Sequence, residues 1–109
     1  MLGEEEIKRY MFRLSEKGIV KFVDGSTVSL TDWYLDLLYA IAKSVCREPN
    51  IKEVVCSSDM GVAEAVEFLL QVSIGCTIKL IFGDINDEEL NHMVSIIYTI
   101  IRLSQKQIN

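Results

Sequence analysis

Residues 54–68 read VVCSSDMGVAEAVEF, a β-branched run that breaks into small polar residues and resumes with helical spacing. The polar break predicts a strand that turns into a helix. A second β-branched run, CTIKLIF, follows at residues 76–82. Because a strand–helix–strand unit makes a right-handed crossover between parallel strands, we expect residues 51–56 and 76–82 to be parallel strands of one sheet.

The segment IVKFVDGSTVSL predicts a β-hairpin. A three-residue loop with Gly25 in the left-handed conformation places Val20, Phe22, Val28 and Leu30 on one face. A two-residue turn would instead mix apolar and polar side chains on that face. Apolar residues at helical spacing predict the other elements, which are helices over residues 4–17, 32–47 and 61–72 and a last helix after Asn86.

The predicted order is α-β-β-α-β-α-β-α, in a single α/β domain whose mixed sheet of about four strands is packed with helices. Trp33, Tyr34 and Tyr39 share one helix, and we expect all three in the core. The last helix is apolar over more of its circumference than one packing face requires. We therefore predict that the protein forms a homodimer through five residues of that helix: Met93, Ile96, Ile97, Ile100 and Leu103.

The composition is acidic, with 11 Lys+Arg against 16 Asp+Glu and a net charge of −5. Nucleic acid is therefore a disfavoured partner, because phosphates are bound by Lys and Arg. The opening residues lack a basic segment followed by an apolar run, and residues 93–103 are too short to span a membrane. We expect a cytoplasmic protein with no membrane contact and no cofactor. Its three cysteines, without CxxC spacing, predict small buried apolar residues: Cys46, Cys56 and Cys76.

Polar side chains follow both predicted parallel strands, and the loops after such strands meet at one sheet edge where ligands bind. The candidate ligand residues are Ser57, Ser58, Asp59, Asp84, Asn86 and Asp87. They suit Mg²⁺, which takes carboxylate and other oxygen ligands. Phosphate at the helix start is an alternative, although Asp59 adds negative charge there. A third interpretation is that Ser58 or Asp59 caps the helix and that Asp84 and Asn86 make turn hydrogen bonds.

Residues 34–85 resemble the central βα unit of the Alba-type archaeal chromatin proteins. YLDLLYAIAKSV resembles their first helix, and IKEVVCSSDMGVAEAVEFLL resembles the strand–loop–helix that follows. In that family the loop is basic and contacts DNA or RNA, whereas residues 57–61 contain no Lys or Arg. The family also closes with a β-hairpin, where this chain predicts a helix. The resemblance implies an α/β dimer that lacks direct nucleic-acid contacts.

Three functions are consistent with these patterns. The first is a non-enzymatic, self-associating protein-interaction module, since no spacing suggests a catalytic partner for His92, the only histidine. The second is a regulatory or enzymatic domain that binds a small ligand or divalent metal with the loops after residues 51–56 and 76–82. The third is an Alba-like nucleic-acid accessory protein.

Overall fold

The computed structural model describes residues 3–25 and 27–108, with side chains as far as Ser104. These residues form five helices and one antiparallel sheet of two strands. The predicted α/β class with a four-stranded mixed sheet is therefore wrong, because most of the described chain is helical. The elements are α1 Glu4–Glu16, β1 Val20–Phe22, β2 Val28–Leu30, α2 Asp32–Arg47, α3 Pro49–Ser57, α4 Val62–Phe82 and α5 Asp87–Ile108.

Residues 51–56 lie in helix α3 instead of forming a strand. Pro49 occupies the start of the helix, where its missing N–H has no partner to lose and its fixed φ favours the helical backbone. Ile51 and Val55 are half-buried and four residues apart, while Val54 is exposed. Burial thus follows the helical period and not the alternation of a strand, which overrides the β-branched composition.

Residues 76–82 continue α4 and are not a second strand. Thr77 in this segment and Ser73 before it do not interrupt the helix, because their hydroxyls donate to the carbonyl oxygens of Ile74 and Leu69 at 2.7 Å. Burial also keeps helical spacing across residues 73–75, where the sequence predicted a break before the strand. The buried residues of α4 are Ser73, Ile74, Thr77 and Ile78.

The predicted helix ends are confirmed at three points. Gly18 follows α1 with a φ of 75°, the left-handed conformation that glycine adopts without strain. Thr31 precedes α2, and its hydroxyl accepts a 3.2 Å hydrogen bond from the backbone N–H of Tyr34. Asn86 precedes α5 in the same way, accepting a 2.8 Å bond from the N–H of Glu89. Residues 95–103 are helical throughout.

The hairpin has the predicted register but a different loop conformation. The backbone N–H of Val23 donates to the carbonyl of Thr27 at 2.8 Å, which leaves a three-residue loop. A side-chain oxygen of Asp24 accepts from the N–H of Thr27 at 2.9 Å. Among the described glycines, φ is positive at Gly18 and Gly83 and not at Gly25, so the left-handed Gly25 is wrong. The paired residues are Val20 with Leu30, Lys21 with Ser29, and Phe22 with Val28.

The core is built around α4, which packs against both α2 and α5. Tyr34 of α2 is fully buried there, as expected, with its hydroxyl 2.7 Å from that of Thr77. Since Thr77 donates to a carbonyl of its own helix, Tyr34 is the donor in this pair. Burial raises the pKa of Tyr34 to about 12, because the charged phenolate would lose its hydration there. Trp33 and Tyr39, expected in the core, are 55% and 65% exposed.

Tyr34→Phe should lower the free energy of unfolding by about 1–2 kcal/mol, because it removes one buried hydrogen bond. Tyr39→Phe is the matched control and should change stability little, since Tyr39 is exposed. Urea denaturation measures both.

Above pH 10, the ordinary pKa of tyrosine, the unfolded wild type ionises Tyr34 while the folded state keeps it neutral up to about pH 12. Between about pH 10 and 12 the free energy of unfolding should therefore fall more steeply in the wild type than in Tyr34→Phe. Parallel pH profiles of the two proteins would contradict this.

Gly75 within α4 and Gly83 at its C-cap should respond to alanine with opposite signs. Gly83 has a φ of 75° and a ψ of −114°, a backbone conformation that side chains strongly disfavour, so Gly83→Ala should cost about 1–3 kcal/mol through strain alone. Gly75 lies inside the helix, and its added Cβ would meet Val94 at 3.9 Å, an ordinary contact. Gly75→Ala should therefore stabilise by about 0.5–1 kcal/mol. Thermal unfolding of both variants tests the assignment, and equal effects would contradict it.

Candidate interaction surfaces

The two loops predicted to share a ligand site lie at opposite ends of α4. The loop containing Asp59 precedes the helix and the loop containing Asp84 follows it. A helix of 21 residues is about 30 Å long, so the structure does not bring the two loops together. Within the described residues, no group of three or more His, Cys, Asp or Glu side chains could hold a metal ion.

The candidate ligand residues include two with local structural roles. The hydroxyl of Ser58 donates to the carbonyl of Val54 at 2.7 Å, at the end of α3. Asn86 caps α5, whereas the third interpretation expected it to make a turn hydrogen bond. Neither Ser58 nor Asp59 caps α4, because Gly61 is its N-cap and no side chain bonds to the helix start. Ser57 ends α3, Asp87 begins α5, and Ser57, Asp59, Asp84 and Asp87 are all exposed.

Helix α4 is strongly apolar, yet several of its apolar side chains are not covered by the rest of the described chain. Its fully buried residues are Ser73, Ile74, Thr77 and Ile78. By length and composition α4 is the one described helix that could cross a membrane, a test that core helices of soluble proteins also pass. Val62, Val66 and Leu80 are 84%, 58% and 64% exposed. The apolar run considered from the sequence, residues 93–103, is thus not the part of the described chain that most resembles a membrane span.

The uncovered apolar residues of α4 form a continuous stripe. Its members recur every three or four residues and are all exposed or half-buried. Glu64 lies near the start of this segment and Lys79 near its end, and both are exposed. We call the following residues the outer stripe of α4: Val62, Val66, Leu69, Val72, Cys76 and Leu80. Cys46, Cys56 and Cys76 are all exposed, so their predicted burial is wrong.

A second apolar surface is a groove of about 790 Å³ between α1, the hairpin and α5. Helix α5 forms its longest wall, from His92 to Ser104. The ring of His92 lies 5.5 Å from that of Tyr10, and its Nε2 lies 3.7 Å from a carboxylate oxygen of Glu88. The main apolar lining consists of Ile7 and Met11 from α1, Val23 and Val28 from the hairpin, and Ile96 and Ile100 from α5.

The residues predicted to self-associate divide between the core and this groove. Met93 and Ile97 are fully buried inside the monomer, and Ile100 is 8% exposed. Ile96 and Leu103 line the groove with Ile100, and Leu103 is 55% exposed. Most of the apolar excess of α5 is therefore used within the chain. Sequence reasoning missed the groove because residues of three separate elements converge to form it.

An ion pair holds α1 against the start of α5 beside the groove. The guanidinium of Arg13 donates a hydrogen bond to the carboxylate of Glu89. That bond lowers the pKa of Glu89 below its ordinary value of 4.5, and partial desolvation opposes the shift. The charge of Arg13 and a backbone hydrogen bond from Asn86 add to the lowering.

No family model, curated protein or solved structure matches this chain. The segment that resembles the Alba-type strand, residues 51–56, is helical. The loop after it is exposed over residues 57–59 and has no Lys or Arg between residues 57 and 61. Evidence for function therefore comes from the two apolar surfaces, the outer stripe of α4 and the groove.

Arg13→Gln should raise the pKa of Glu89 towards 4.5, which an NMR titration of the carboxylate would measure. Because Arg13 favours the ionised form in the folded state, the stability from this pair is present above pH 4.5 and lost as pH falls below it. The variant should lose less stability on acidification. Arg102→Gln, which breaks the pair with Glu67, is the control and should leave Glu89 unchanged. An unshifted Glu89 in Arg13→Gln would contradict the assignment.

Proposed function

We propose that this protein is a non-enzymatic, self-associating interaction module whose two copies pair through the outer stripe of α4. The observation that supports this most is the exposure of Val62, Val66 and Leu80 on its most apolar helix, at 84%, 58% and 64%. Leaving valine and leucine side chains in water is unfavourable, and burying each one contributes about 1.5–3 kcal/mol. A second copy of the chain offers the same stripe and can cover it.

The total surface supports an assembly. The chain exposes 7508 Å², whereas a compact monomer of 109 residues exposes about 6,100 Å². The excess of about 1,400 Å² exceeds the roughly 800 Å² that each partner gives to a standard interface. The radius of gyration is 14.5 Å, against about 13 Å for a compact domain of this length.

An antiparallel arrangement about a two-fold axis fits the stripe. Such an axis at the middle of α4 places Val62 opposite Leu80 of the other copy, and Val66 opposite Cys76. The two helix dipoles also oppose each other in this arrangement, which is favourable. The same surface thus supplies apolar contact from both copies along its length.

Val66→Asp should weaken the dimer at least about ten-fold, because two carboxylates would be buried without partners in each interface. The monomer should stay folded, since Val66 is 58% exposed. Val54→Asp makes the same change at an exposed position of α3 and should leave the dimer unaffected. Analytical ultracentrifugation gives the dissociation constants, and circular dichroism checks folding. A monomeric wild type, or a dimer that both variants preserve, would contradict the proposal.

Co-sedimentation of the wild type with neutral phospholipid vesicles, lost in Val66→Asp, would show instead that lipid covers α4.

A further inference from the structure

The groove between α1, the hairpin and α5 has the size and lining of a small-molecule site. Its volume of about 790 Å³ falls within the roughly 300–1,000 Å³ of ligand pockets. Such pockets are mostly apolar with a few polar groups, and this lining combines Val, Ile, Leu and Met side chains with hydroxyls. The groove is built on α1, β2 and α5, and none of the outer stripe of α4 lines it.

The charge of the groove restricts its ligand. The described residues that line it include no Asp, Glu, Lys or Arg, in a chain whose net charge is −5. An anionic ligand would lose its hydration there without gaining a cationic partner among these described residues, and Glu88 beside His92 would repel it. A cationic ligand would likewise find no carboxylate among the lining residues. An uncharged, mostly apolar molecule suits this lining best.

The shape of the groove and its polar groups define the ligand further. Along the described part of α5 the wall runs from His92 to Ser104, a helical length of about 18 Å. The groove therefore suits an elongated molecule. Polar and apolar side chains alternate along this wall, with His92, Ser95, Thr99 and Ser104 among Ile96, Ile100 and Leu103. A ligand that is mostly apolar and carries a hydroxyl matches this lining.

We propose that the groove binds an uncharged, elongated, mostly apolar molecule of the chemical class of long-chain alcohols. Its hydroxyl bonds to a polar side chain of the wall, and its tail packs on Ile96, Ile100 and Leu103. The site is independent of self-association through α4.

The first test uses N-phenyl-1-naphthylamine, an uncharged apolar dye whose fluorescence rises on leaving water. One dye should bind per chain, and 1-dodecanol should displace it at least ten-fold more effectively than dodecanoate. Equal displacement by the two would overturn the uncharged ligand class, and absence of dye binding would overturn the site. Displacement that appears only above the solubility of 1-dodecanol, or above the critical micelle concentration of dodecanoate, would also overturn it.

Two matched variants locate the site. Thr99→Trp introduces a large side chain at an exposed groove position and should reduce dye binding at least ten-fold. Ser44→Trp adds the same side chain at an exposed position of α2 and should leave binding unchanged. Val66→Asp should also bind the dye normally, which separates this site from the α4 dimer. Loss of dye in Val66→Asp, or dissociation of the dimer by Thr99→Trp with dye binding intact, would overturn the proposal.

Discussion

The packing of α4 between α2 and α5 is the constraint on which the rest of the structure depends. The buried part of α4 contains two hydroxyl residues, Ser73 and Thr77, which are tolerated because both donate to carbonyls of their own helix. Tyr34 then donates to Thr77, so the one buried phenol is satisfied as well. With these polar atoms paired, isoleucine side chains can fill the space around them. Helix α1 and the hairpin pack on α5 and close the other side of the core.

Helix α4 therefore has two faces of similar composition in different surroundings. The inner face is covered by α2 and α5, while the outer stripe meets solvent over Val62, Val66 and Leu80. An amphipathic helix would place polar residues on that outer side. Here the outer stripe is apolar along its length, and Glu64, Glu67 and Gln71 lie on another side of the helix. Glu67 is paired there with Arg102 of α5. This contrast between composition and burial is what points to a partner, and it arises only when the chain is folded.

The ends of the helices were predictable from the sequence. Whether residues 51–56 and 76–82 form helix or strand was not. Capping by Thr31 and Asn86 depends on side chains that act within four residues, so a local pattern suffices. The hairpin register followed from the alternation of apolar residues between Val20 and Leu30. Residues 51–56 and 76–82 were misassigned because β-branched side chains favour strands only when a sheet is available to receive them. The groove could not be found from sequence, because it combines distant residues such as Ile7, Val28 and Ile96.

Helix α3 illustrates how unevenly stability is distributed in this fold. Pro49–Ser57 contains no buried residue, and its contacts are mainly with the neighbouring α2. Its backbone hydrogen bonds are therefore protected by little tertiary structure and should open without unfolding the core. In hydrogen–deuterium exchange this segment would lose protection long before the middle of α4. A short inserted sequence or a proteolytic cut would accordingly be tolerated best between α2 and α4.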